Sequence, residues 1–192
     1  MSTDLRSMVF ASLFAALTAV GALIAIPIGP VPIVLQNLFV MLMGLLLGPR
    51  WGLAGVGAYL LAGALGLPVF AGGTSGLARF AGPTGGYLVG YLPCVALIGW
   101  ISMRGKGHRD IDALAMVCGT AALYDCGVSW LKLVTGLAWS KAFGLGVIPF
   151  IPGDIAKIIA ATLLIKSLRQ LMAATHVTRQ DPVSATPLRA GK

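Results

Sequence analysis

Asp154 and Lys157 stand three apart in PFIPGDIAK, residues 149–157. On a helix they share one face and can pair. An aspartate where a helix begins is accounted for by capping. A lysine one turn deeper, in a run as apolar as IIAATLLI, is not. It must face a polar cavity or pair with the acid, because a lone charge in an apolar medium is costly. Arg79 is the only formal charge in PVFAGGTSGLARFAGPTGGYLVGY, residues 68–91. Its planar fork suits a carboxylate, and as a loop residue it also reads as a solvated or headgroup-facing cation. In the same stretch Pro83 and Thr84 lead into a helix start at Gly85, where exposed backbone amides favour an anionic group. Tyr87 and Tyr91, four apart, share a face and read as a cavity wall or an aromatic belt. Gln36 and Asn37 are a donor and acceptor for a ligand, or else interhelical hydrogen-bonding partners. Adjacent helical positions point about 100° apart, so one of the two is expected to face the interior.

These residue types describe a site that binds one small polar molecule. No GxSxG, HExxH or paired-carboxylate motif supports an intramembrane hydrolase, so no catalytic residue is assigned. Cys94, Cys118 and Cys126 lie inside apolar runs without CxxC or Cys/His spacing. They read as small buried hydrophobes, with no metal site expected. His108, in the basic loop RGKGHRD, reads as an exposed loop histidine.

The elements that must carry these residues are membrane spans. The chain is 57% hydrophobic and only 10% charged, against about 25% charged in a soluble domain. Six apolar segments can be marked, at about 5–26, 33–48, 52–67, 84–103, 112–138 and 154–173. The fold class expected is therefore an all-α integral membrane bundle of six transmembrane helices spanning residues 1–174. A polar, disordered tail is expected over 175–192. The N-terminal run is too long for a cleavable signal and reads as a retained span. With the N-terminus inside, the inner regions carry Arg6, Arg50, Arg104, Lys106, Arg109, Lys166, Arg169, Arg179, Arg189 and Lys192. The outer loops carry only Arg79 and Lys141. That bias places both termini in the cytoplasm. It also explains the net charge of +8 without nucleic acid, since the basic residues are scattered rather than clustered.

Three further features stand out. Ala11, Ala15 and Ala19 form a small-residue face, either for packing within the chain or for docking a partner. Asp125 and Lys132 lie in the fifth apolar segment, seven apart, so they share a face about 10.5 Å from one another. Asp125 reads as a neutral acid hydrogen-bonded between helices, and Lys132 as either snorkelling or functional. Pro27, Pro30 and Pro32 exclude regular helix between the first two segments.

The segments PVPIVLQNLFVMLMGLLLGPRWG, GLPVFAGG, GPTGGYLVGY and PFIPGDIAKIIAA, in this order, resemble the biotin-specific substrate-binding (S) component of energy-coupling-factor vitamin transporters. The resemblance covers about residues 8–172. GPTGGY together with PFxPGDxxK is the specific combination. It implies a six-helix bundle in a prokaryotic cell membrane, with a high-affinity site for biotin near the outer face. It implies a transmembrane coupling protein and two ATPase subunits as partners, since this chain has no GxxxxGK[ST] loop of its own. It implies no cofactor, biotin being cargo. Asp154 and Lys157 match the PGDxxK motif and Tyr87 the GPTGGY motif, all as ligand-binding residues, with Arg79 a looser match. Ala11 and Ala15 resemble the alanine motif that docks such subunits on the coupling protein. Asn37, Asp125 and Lys132 depart from the family pattern. An S component for another vitamin and an autonomous secondary transporter are the alternatives.

Overall fold

The computed structural model describes residues 3–27, 29–105 and 107–177. Lys106 and the segment 178–192, including Arg179, Arg189 and Lys192 from the charge count and most of the expected tail, lie outside the described residues. The elements run α1 (Thr3–Leu23), β1 (Ala25–Ile26), β2 (Ile33–Val34), α2 (Gln36–Ala64), α3 (Ala78–Ala81), α4 (Gly85–Arg104), α5 (Arg109–Thr135), α6 (Trp139–Gly146) and α7 (Ile151–Val177). Seven helices stand among the described residues rather than six. The short α3 and α6 were not anticipated, because neither is long enough to show a periodic apolar face. Four helices (α1, α2, α4 and α5) are long and apolar enough to cross a membrane, and α6 with α7, bent by 44°, makes a fifth candidate if counted as one span.

Proline decides where the first two segments stop being helix. Pro27, Pro30 and Pro32 remove backbone donors, and the residues flanking them pair instead as a two-residue antiparallel ribbon, Ala25 with Val34 and Ile26 with Ile33. Helix α1 therefore ends at Leu23 and α2 begins at Gln36.

Helix α2 is two helical limbs joined at a break, and the second folds back on the first. Gly48 sits at φ 72°, ψ −175°, with Pro49 next. That left-handed φ is open to glycine and unfavourable for other residues. Beyond it the two limbs lie side by side. A Cβ on Gly52 would stand 3.8 Å from the Gly44 Cα, and one on Gly55 would stand 2.6 Å from the Met43 sulfur. Further out, the Tyr59 hydroxyl reaches Gln36 Oε1 at 3.3 Å. The contacts pair residues of falling number with residues of rising number, so the limbs are antiparallel.

Helix α4 packs between α2 and α5. Its approach to α5 depends on Gly86, where a Cβ would fall 2.2 Å from the Trp130 Cβ. Small residues at such crossings give close packing in an apolar medium, where the hydrophobic effect between helices is absent. Large apolar side chains such as Leu61, Leu133 and Leu163 point outward, as a lipid-facing surface requires.

The end of the bundle where α5 starts is closed by charge. Asp112 is fully buried. It accepts two bonds from Arg169, at 2.7 and 3.1 Å, and one from Ser102 at 2.5 Å. Arg169 also donates to the Leu45 carbonyl at 3.4 Å. One cluster thus ties α4, α5, α7 and the first limb of α2 together.

Candidate functional site

At the other end a cavity of about 400 Å³ opens between the β1–β2 loop, the start of α2, the bend at residues 70–74, and α4 and α5. That is within the range typical of small-molecule sites. Its irregular walls come from the proline and glycine stretches, and unpaired backbone at membrane depth is tolerated where it lines a cavity.

One wall is a polar ladder. Tyr59 donates to Gln36 Oε1, Gln36 Nε2 donates to the Tyr91 hydroxyl at 2.6 Å, and Tyr91 donates to Asn37 Oδ1 at 2.5 Å. Gln36 and Asn37 are both buried and both line the cavity. The expectation that one of them would turn away is corrected. Both stand in the first turn of α2, beside Tyr59 of the second limb and Tyr91 of α4. No bond to the Asn37 amide nitrogen exists among the described residues.

Behind the opposite wall stand Asp154 and Lys157, 3% and 9% exposed. Lys157 Nζ donates to Asp154 Oδ1 at 2.9 Å. The Tyr124 hydroxyl donates to Asp154 Oδ2 at 2.5 Å. Helix α7 begins at Ile151, so Asp154 falls inside its first turn instead of capping it. There the acid complements the helix dipole. Tyr124 lines the cavity, while Asp154 and Lys157 lie one layer behind it. An ionised carboxylate offers about four lone-pair sites, of which two are used here, so bonding capacity remains.

Arg79 lines the cavity, half-buried in α3, with no acidic partner among the described residues. Tyr87 lines it through its ring, which tilts against Phe150, while its hydroxyl donates to the Gly146 carbonyl at 2.7 Å. Gly85 is not brought to the cavity. A Cβ there would meet the Phe80 carbonyl oxygen at 1.8 Å, and its own N–H donates to the Gly82 carbonyl at 3.0 Å. The amide pictured as an anion cradle is already used to start α4.

Ala11 is 4% exposed, and its carbonyl oxygen would be 3.0 Å from a Cβ on Gly55. Ala15 is partly buried against the core. The small-residue face of α1 packs on the second limb of α2. Asp125 is exposed and has no hydrogen bond among the described residues, contrary to the interhelical bond expected of it. Lys132 stands 5.0 Å from the Trp139 ring centre. The residue sequence reasoning missed is Tyr124. The rare acid beside it drew attention, yet position 124 is rotated about 100° from Asp125 and faces inward.

Comparison with known proteins agrees along nearly the whole chain. A model described as "BioY family" matches residues 1–174. The biotin transporter BioY of Rhizobium etli is 43% identical over 175 residues, covering 85% of this chain and 92% of that protein. The biotin transporter BioY2 of Lactococcus lactis subsp. cremoris is 38% identical over 179 residues, covering 93% and 97%. A crystal structure of the S-component for biotin from an ECF-type ABC transporter superposes with a TM-score of 0.82 at 32% identity, covering 88% of this chain and 95% of that one.

Proposed function

The chain belongs to the BioY family, and from that premise we propose that it is the membrane subunit that captures biotin for uptake, using the cavity between α2, α4 and α5. The observation that carries this is the pairing of two polar groups across one cavity, Gln36–Tyr91–Asn37 on one side and Tyr124, backed by Asp154 and Lys157, on the other. Biotin presents a ureido ring with two N–H donors and a carbonyl, an apolar thioether ring and a carboxylate. The ureido N–H groups are held by Asp154, reached beside Tyr124, and by the Asn37 carbonyl. Lys157 and the free Asn37 amide supply donors to the ureido oxygen, while the single Tyr124 O–H stays on Asp154. Tyr87 and Phe150 pack the thioether ring, and Arg79 takes the carboxylate as a charge-assisted pair.

The bundle crosses the membrane six times when the two limbs of α2 are counted as separate spans with α1, α4, α5 and α7. Both termini are cytoplasmic and the cavity faces outward in a prokaryotic cell membrane. Residues 1–174 form the membrane domain, and the rest is a cytoplasmic tail. Uptake is energised by a transmembrane coupling protein and two ATPase subunits, with no cofactor bound to this chain. Docking through Ala11 and Ala15 requires α1 to separate from the second limb of α2 at Gly55, because that face is occupied in this arrangement.

The test is isothermal titration of the detergent-purified chain with biotin, thiamine and riboflavin. Tight one-to-one binding of biotin alone is expected. Heat with thiamine or riboflavin and none with biotin would move the ligand to another vitamin.

A further inference from the structure

A second concavity lies outside the biotin cavity, and it gathers features that the transport reading leaves unused. It is a groove of about 630 Å³ between α4, α5 and α6, lined by Gly85, Gly86, Val89, Trp130, Lys132 and Trp139 among others. Gly85 and Gly86 let α4 lie close against Phe80 and Trp130, and the groove runs beside that contact. Its walls are almost wholly apolar. Trp130 is fixed as one wall by donating from Nε1 to the Gly82 carbonyl at 3.0 Å.

The groove holds one formal charge. Lys132 lies in the last turn of α5, at the same end of the bundle as the biotin cavity. Neither ion pair among the described residues includes it. Its Trp139 neighbour leaves the ammonium still able to donate. Asp125, on the same face, is about 10.5 Å further along the helix and does not reach it. An apolar trough ending in a lone cation and two tryptophans, at the end of a membrane helix, has the polarity profile of a lipid molecule.

We propose that this groove is a binding site for an anionic phospholipid, with an acyl chain lying over Gly86 and Val89 and the head phosphate on Lys132. Charge favours this occupant over a second copy of the chain. Copies in one membrane run parallel, so a symmetric contact through this face of α5 sets Lys132 near Lys132 and Asp125 near Asp125. An anionic lipid instead supplies the charge that Lys132 lacks and the hydrocarbon that the walls require. The site does not depend on which vitamin fills the cavity.

Native mass spectrometry of the full chain in detergent tests this, with phosphatidylglycerol and phosphatidylcholine of identical acyl chains as probes. The wild type should retain phosphatidylglycerol about fivefold more tightly than phosphatidylcholine, the effect of one lysine at a membrane surface. Lys132→Gln should erase that preference. Val89→Trp, which fills the trough, should weaken retention of both lipids. A wild-type preference undiminished in Lys132→Gln would overturn the proposal, and that variant alone decides the matter if Val89→Trp does not fold. A lipid-free dimer that Val89→Trp dissociates would equally overturn it, by giving the groove to a second copy.

Discussion

Two acid–base pairs, each with a buried acid, stand toward opposite ends of this bundle, and they are alike in little but charge. Asp154 and Lys157 are one turn apart on a single helix, 2.9 Å from each other. Their only further side-chain partner among the described residues is Tyr124, which faces a cavity. Asp112 and Arg169 come from different helices, 57 positions apart, and meet in a two-point fork closed by Ser102 and the Leu45 carbonyl. Neither Asp112 nor Arg169 lines either cavity described. The first pair leaves bonding capacity beside an open space. The second turns its capacity onto protein and joins four stretches of chain. A buried charge is therefore a candidate for ligand binding here only where it stands beside a cavity with valences left over.

Variants can break that contrast, and the largest effect belongs to the closed pair. Arg169→Ala leaves the Asp112 carboxylate buried without its cation and should cost roughly 3–5 kcal/mol of stability. That would appear as a large drop in the melting temperature of purified protein. Melting like the parent would show that the cluster does not hold the bundle. Arg79→Gln should act on the other side of the contrast. It should leave melting nearly unchanged and weaken biotin by roughly 1.5–3 kcal/mol, the value of a hydrogen bond to a charged group. Biotin methyl ester, which has no carboxylate, should bind parent and variant alike; a loss of ester binding equal to that of biotin would remove Arg79 from the carboxylate. Tyr124→Phe deletes one donor to Asp154 and should weaken biotin by about 1 kcal/mol, read by titration. Ser102→Ala is the mildest, lowering stability by about 1 kcal/mol or less with biotin affinity intact.

The same contrast explains what could be read in the sequence. Asp154 and Lys157 were legible because a three-residue spacing places both on one helical face whatever the tertiary fold. The Asp112–Arg169 cluster was not. Arg169 counted as one more cytoplasmic cation, and no local rule links positions 57 apart. Membrane character and most helix bounds followed from apolar run length, because the solvent imposes that length. The two limbs of α2 match the separate apolar segments at about 33–48 and 52–67, with the reversal at Gly48 and Pro49. Gly85 was misplaced because the same sequence signal marks a helix start whether its amides are free or, as here, bonded to Gly82. Asp125 was expected inside on cost grounds and lies outside, since composition cannot tell which face of a helix meets lipid.

Titration of biotin into Asp154→Asn tests the central claim most directly. The substitution keeps the shape and an acceptor for Tyr124, and removes the charge. If Asp154 is the ligand-directed acid, affinity should fall by roughly ten- to a hundredfold, in protein that still folds but melts lower than the parent because Lys157 has lost its counter-ion. Unchanged affinity in folded protein would contradict it and leave Asp154–Lys157 as a second structural pair.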